Sequence, residues 1–249
     1  MLAVGRVHLW QGGSLWIGRG EGRSDWHDHH ALQIALPLDG LCHFRGQAEG
    51  VWSEFQGAIV RPHRHHQFEA DGATMAQLFI EPETVEGRRL RELCIDDITP
   101  LPEPQRRAMA RLLSDALRAD AQADQMIAAA RAATLLLAGA GAPGGNGDVR
   151  IDKAIAHIRS HIHAPITLGD VAAAAALSPG RFRHLFVAET GTSFRAYVLW
   201  MRLNVAIQFA MAGESWTAAA HAAGFADSAH LTRTFKRMFG MNPAALVPS

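Results

Sequence analysis

Apolar residues in the first third of the chain come in short runs broken by Gly, Pro and Asp: LQIALPL, GLCHFRG, GAIVRP and AQLFIEP. Such punctuated, β-prone runs predict a compact β-sandwich or barrel over about residues 14–82. From about residue 104 the spacing turns helical. PQRRAMARLLSDALRA and ADQMIAAARAATLLLAG place Met109, Leu112, Leu113, Ala116 and Leu117, then Met126, Ile127, Ala130 and Leu135, on single faces. Two amphipathic helices within 104–137 follow, their stripes suited either to core packing or to a dimer face.

The stretch AGAGAPGGNGD at 138–148 is too rich in Gly to hold a helix or strand and reads as a linker. Beyond it the pattern is helical. RIDKAIAHIRSHI carries an inward stripe of Ile151, Ile155, Ile158 and Ile162 that Pro165 stops. Then one plan occurs twice, in LGDVAAAAALSPGRFRHLF at 168–186 and WTAAAHAAGFADSAHLTRTF at 216–235. Each copy is an Ala-rich helix, a tight turn, a capping residue and a second helix bearing cations. Thr167 and Ser178 are the expected caps in the first copy, Ser215 and Asp227 in the second, with Gly224 at the turn. Small side chains let the paired helices cross closely, which is helix-turn-helix geometry. Between the copies SFRAYVLWMRLNVAIQFAMA forms a long helix whose Phe194, Tyr197, Val198, Met201, Ala206 and Phe209 can pack on both.

Charge sharpens this reading. The chain is neutral overall, yet 14 Arg face 18 Asp and Glu up to residue 142, while 8 Arg and 2 Lys face 6 acids afterwards. In the two trailing helices Phe182, Leu185 and Phe186, and Leu231, Phe235 and Phe239, are expected inside. Gly180, Arg181, Arg183 and His184 remain outside in the first copy, and Ser228, Ala229, His230, Thr232, Arg233, Lys236 and Arg237 in the second. Guanidinium groups near a helix N-terminus can reach guanine O6 and N7, while Thr and Lys hold phosphates.

With LSPGRFRHLF, ETGTSFRAYVLWMRLNVA and AAGFADSAHLTRTFKRMFGMNPAAL, residues from about 149 to 246 resemble the DNA-binding domain of the AraC/XylS family of bacterial transcriptional regulators. The resemblance implies that each trailing helix enters a major groove. It gives base-facing places to Gly180, Arg183 and His184 and to Ser228, Ala229 and Arg233, and supporting or phosphate contacts to Arg181, His230, Thr232 and Lys236. Gly180 has no side chain and Ala229 only a methyl, so base readout rests on Arg183, His184 and Arg233.

Three histidines crowd HDHHALQIALPLDG at 27–40. His27, His29, Gln33 and Gly40 have the spacing of the first cupin motif, with Gln in place of Glu, and GAIVRPHRHHQF resembles the turn that supplies the last cupin ligand, here His66. A strand would put His27, His29 and Gln33 on one face. With His66 they would suit Zn, Ni, Cu or Fe(II), although Gln33 removes the one anionic donor. The same groups could instead hydrogen-bond an organic effector or merely complete the fold. His30, His63 and His65 fall off the spacing and are expected at the surface or rim, His65 being a possible substitute for His66.

The expected protein is thus a two-domain α+β chain. A cupin-like β-barrel with appended helices occupies 1–137, and an all-α domain with two helix-turn-helix units, at 168–189 and 216–239, joined by a long linker helix, occupies 149–249. Cys42 and Cys94 form no CxxC and are expected to be buried free thiols. No window approaches a membrane span and no signal peptide is apparent, so a soluble cytoplasmic protein is expected. The expected partners are promoter DNA, a small-molecule or metal effector, RNA polymerase in the case of an activator, and a second copy through the 104–137 helices. No enzymatic activity is expected. The competing classes are a metal-dependent cupin oxygenase fused to a DNA-binding domain, which Gln33 disfavours, and an effector-independent architectural protein, which leaves the N-terminal barrel without a role.

Overall fold

A computed structural model describes residues 1–139 and 147–248. The chain forms two compact units, Met1–Gly144 with Lys236–Ser249, and Gly145–Phe235. The expected linker at 138–148 falls largely on residues 140–146, outside the described residues. The residues from Lys236 on cluster with the first unit.

The first unit is a nine-stranded sheet backed by helices. Its strands are β1 (Leu2–Trp10), β2 (Gly13–Arg23), β3 (Leu32–Pro37), β4 (Cys42–Arg45), β5 (Ser53–Phe55), β6 (Ala58–Val60), β7 (Gln67–Ile80), β8 (Ile98–Pro100) and β9 (Leu246–Pro248). The order is β8-β6-β3-β7-β2-β1-β9, with β4 paired to β7 and β5 to β4. The path does not return on itself, so the expected barrel is an open one. It also begins earlier than residue 14, because Leu2–Trp10 pairs antiparallel with Gly13–Glu21 of β2.

Two-residue alternation sorts the sheet into two faces. Leu15 and Ile17 of β2, Leu32, Ile34 and Leu36 of β3, and Leu78 and Ile80 of β7 pack with Leu90, Met109, Leu113, Met126 and Ala130. These last come from α1 (Val85–Leu93), α2 (Glu103–Arg118) and α3 (Ala123–Ala138). Fully burying side chains of this size is worth roughly 1.5–3 kcal/mol each. The stripes on α2 and α3 are therefore core stripes, although Leu135, expected in the stripe, is exposed together with Leu136. The opposite face carries Ala35, Phe44, Val60, Phe68 and Met75.

The second unit holds α4 (Val149–Ser160), α5 (Leu168–Ala174), α6 (Pro179–Thr190), α7 (Phe194–Met211), α8 (Trp216–Ala222) and most of α9 (Ser228–Phe239). Ile151, Ile155, Ile158 and Ile162 are buried together with Val171, Phe182, Phe186 and Tyr197. On α7 the buried positions include Tyr197, Val198, Trp200, Leu203 and Ile207. Phe209, expected inside, is exposed.

The two copies share their turn. Ala176 and Gly224 both have positive φ, 54° and 75°. Leu177 N–H returns to the Ala172 carbonyl at 2.9 Å and Phe225 N–H to that of Ala220 at 2.9 Å. For a residue with a Cβ this backbone region costs roughly 1–2 kcal/mol. Gly224→Ala is therefore expected to destabilise the chain by about 1–2 kcal/mol in urea unfolding, and Ala176→Gly to shift stability the other way by less. An unchanged midpoint for Gly224→Ala would show that the turn does not depend on its left-handed residue.

Candidate nucleic-acid interface and ligand site

Side-chain caps fix where the helices of each pair begin. Thr167 accepts the Asp170 N–H at 3.2 Å, Ser178 that of Arg181 at 3.4 Å, and Ser215 that of Ala218 at 3.2 Å. Asp227 accepts the His230 N–H at 2.6 Å. With Phe182 and Phe186 buried, Gly180, Arg181, Arg183 and His184 lie exposed on α6. On α9, Leu231 and Phe235 are buried, Ala229 and Arg233 exposed, and Ser228, His230 and Thr232 half-buried. His230 packs edge-on against Phe225 at 5.2 Å, and the Thr232 hydroxyl donates to the Ser228 carbonyl at 2.8 Å. Lys236 is held differently from the rest, since its ammonium pairs with Asp25 at 2.9 Å.

The first unit brings His27, His29, Gln33 and His66 together. They do not share a strand. Only Gln33 sits on β3, while His27 and His29 lie in the loop before it. His27 meets His66 through reciprocal backbone hydrogen bonds of 3.1 and 3.0 Å. One ring nitrogen from each of His27, His29 and His66 lies within 4.8 Å of the others. Each Nδ1 faces a backbone carbonyl, of Asp25 at 2.9 Å, Ala31 at 2.8 Å and Arg64 at 2.7 Å. A carbonyl can only accept, so each Nδ1 carries the proton and each Nε2 keeps its lone pair.

Burial keeps these rings neutral. It pushes His27 down to about 3, with His29 adding repulsion, and lowers His29 and sets His66 well below the usual histidine range. Gln33 Oε1 stands 3.0 Å from Nε2 of both His29 and His66. Two lone pairs and an amide oxygen repel one another unless a cation lies among them or the amide turns its NH2 toward the rings. Three imidazole nitrogens with an amide oxygen therefore fit a borderline transition-metal ion, although without any anionic ligand.

His30 corrects an expectation. It is 4% exposed rather than at the rim, and its Nε2 lies 2.9 Å from Glu83. His63 is half-buried and His65 exposed, stacked on Trp26. Cys42 and Cys94 are buried free thiols.

His27 and Gln33 also line a half-open pocket of the first unit. Its other walls include Val7, Trp16, Met75, Gln77 and Phe79 from the sheet and Phe239, Met241 and Leu246 from the end of the chain. Gln77 joins the polar floor, accepting from the Gln33 amide at 3.0 Å. Alternation along β7 sets Gln77 on the face of Met75 and Phe79, so a lone amide in an otherwise apolar run was a legible signal. Nothing local marks Phe239, Met241 and Leu246 as cavity residues.

Residues 171–247 match the family described as a helix-turn-helix domain. Over 88 residues, 34% of this chain and 26% of the relative, the sequence is 39% identical to the transcriptional activator NphR of a Rhodococcus species. Over 100 residues, 40% of this chain and 33% of the relative, it is 29% identical to the MmsAB operon regulatory protein of Pseudomonas aeruginosa. The chain thus spans only about a quarter to a third of the length of these curated relatives. ToxT from Vibrio cholerae O395 shares the fold with a TM-score of 0.61 at 11% identity, over 94% of this chain and 96% of that one. ToxT of strain SCE256, solved with an unsaturated fatty acid bound, gives 0.60 at 12% identity over 96% and 95%. At such identities the likeness is one of fold.

Rings that are buried and neutral when folded, but free to take protons when unfolded, make stability fall with pH. The full contribution is present above about pH 6.5 and is lost progressively below it, toward the folded value near 3 for His27. Urea unfolding of chelator-treated protein at pH 7.5 and 5.5 is expected to show a loss of up to about 1.4 kcal/mol per pH unit for each histidine. His66→Gln is expected to reduce the slope. Equal stability at both pH values would show that the rings are not held neutral.

Proposed function

We propose, on the premise that the chain belongs to the AraC/XylS family of transcriptional regulators through its C-terminal domain, that it reads promoter DNA under the control of a small molecule held in its N-terminal unit. The duplicated helix-turn-helix, with its exposed cations beside buried aromatic anchors, is the observation that carries this reading. Arg183, His184 and Arg233 take the base edges, while Arg181, His230, Thr232 and Lys236 support or contact phosphate. Gly180, Ser228 and Ala229 let the backbone approach closely. Such a regulator works where the chromosome is, in the cytoplasm. Among the described residues no helix is long and apolar enough to cross a membrane.

The effector is amphipathic. Among the described residues the cavity lining is mostly apolar, includes Arg6 and Arg19, and contains no Asp or Glu. An apolar body with an anionic or hydrogen-bonding head suits such walls, as does the fatty acid bound to ToxT. The three imidazoles favour a second occupant, a Zn, Ni, Cu or Fe(II) ion on His27, His29 and His66 with Gln33 as a fourth ligand. Exposed Leu135 and Leu136 on α3 support a homodimer face on the 104–137 helices. RNA polymerase is a further partner if the regulator activates.

Arg233→Ala is expected to cost about 1–3 kcal/mol on the preferred promoter fragment and little on random DNA, measured by fluorescence anisotropy at fixed salt. Equal losses on both would remove Arg233 from base readout. Thermal-shift titration should separate the occupants. An unsaturated fatty acid at 100 times its Kd adds about 2.7 kcal/mol. A metal instead binds at one equivalent in elemental analysis and is lost in His66→Ala. A chain that neither class stabilises would leave the sensor reading without support.

A further inference from the structure

The end of the reading helix α9 is built into the wall of the cavity. The Asp25 N–H donates to the Gly240 carbonyl at 2.7 Å and that of Asp28 to the Arg237 carbonyl at 3.4 Å. Gly240 has φ +65°, and a Cβ there would lie 2.3 Å from the Asp25 carbonyl oxygen and 2.7 Å from His27 Nδ1. Only glycine fits so close a crossing. Phe239 packs on Trp16 at 4.6 Å and Phe79 at 5.5 Å between ring centroids. After a short turn, Leu246–Pro248 adds in parallel to Ala3–Gly5 and covers the outer edge of β1.

We propose that residues 236–248 form a strap that reports cavity occupancy to α9, the docked strap being the state of weaker DNA binding. This rests on the reading of the chain as a DNA-binding regulator. Two observations carry the direction. Docking ties Lys236, a phosphate-contacting position, to Asp25. Phe239, Met241 and Leu246 line the cavity, so a molecule filling it touches the strap only when the strap is docked. Such a ligand binds the docked state better and shifts the population toward it. The strap is also short, with three register pairs to β1, so it can open without the sheet unfolding. The loop it grips carries His27, so an occupant of the histidine cluster acts on the same joint.

A cross-link tests this in the full chain without knowledge of the effector. Val4 and Val247 are register partners, each 38% exposed. Val4→Cys with Val247→Cys places a disulfide across the strap. The native thiols do not compete, because burial pushes Cys42 up to about 12 and Cys94 up to about 11. The oxidised double variant is expected to bind the preferred promoter fragment at least fivefold more weakly than the same sample after reduction, with neither single variant sensitive to redox state. Equal affinity in both states overturns the strap and leaves the DNA-binding reading intact. Failure of the pair to cross-link in folded protein overturns the docking itself. Absence of any preferred fragment for the unmodified chain overturns the underlying reading, and the strap with it.

Discussion

The N-terminal unit depends on one constraint, that successive side chains of a strand point to opposite faces. Along β2, β3 and β7 this alternation is kept in register, so Leu15, Ile34 and Leu78 meet the helices while Trp16, Gln33 and Gln77 meet the other side. A one-residue slip would drive Gln33 and Gln77 into the dry helix-facing core, where an unpartnered amide costs several kcal/mol. The same register that closes the core therefore places two amides on the floor of a cavity.

On that floor the histidines are held by loops rather than by the strand. Backbone carbonyls fix all three tautomers, so the cluster presents lone pairs inward whatever occupies it. Neutral rings in an apolar enclosure are electron donors without charge. They suit a cation or a hydrogen-bond donor, and they resist simple protonation because burial disfavours the charged form.

The helical unit solves a different problem with the same economy of means. The trailing helix of each pair is anchored by aromatic residues, Phe182 and Phe186 in α6 and Phe235 in α9, and started by a side-chain cap, while Arg181, Arg183 and Arg233 stay exposed. The copies end alike. Gly191 closes α6 in the left-handed conformation with its N–H returned to Val187. Gly240, also left-handed at φ 65°, follows α9 with its N–H returned to the Lys236 carbonyl at 2.8 Å.

Local chemistry made much of this legible. Caps at Thr167, Ser178, Ser215 and Asp227, the Ile stripe of α4 and the helices at 104–137 follow from hydrogen-bonding capacity and periodicity, which act within a few residues. β1 lacks a clean alternation because LAVGRVHLW carries apolar residues on both faces, and its partners lie far off in the chain: β9 pairs with Ala3–Gly5 and Val7 lines the cavity, while Leu2 and Val4 stay exposed. His30 was misplaced for a similar reason, since its partner Glu83 is distant in sequence. The sequence by itself therefore determined the helices after residue 104 with their caps, several of the strand runs, and the exposed cations of α6 and α9. Tertiary structure alone decided which histidines converge, where the cavity lies and that the chain's end closes it. Those depend on contacts between residues far apart in the chain, and no local pattern encodes them.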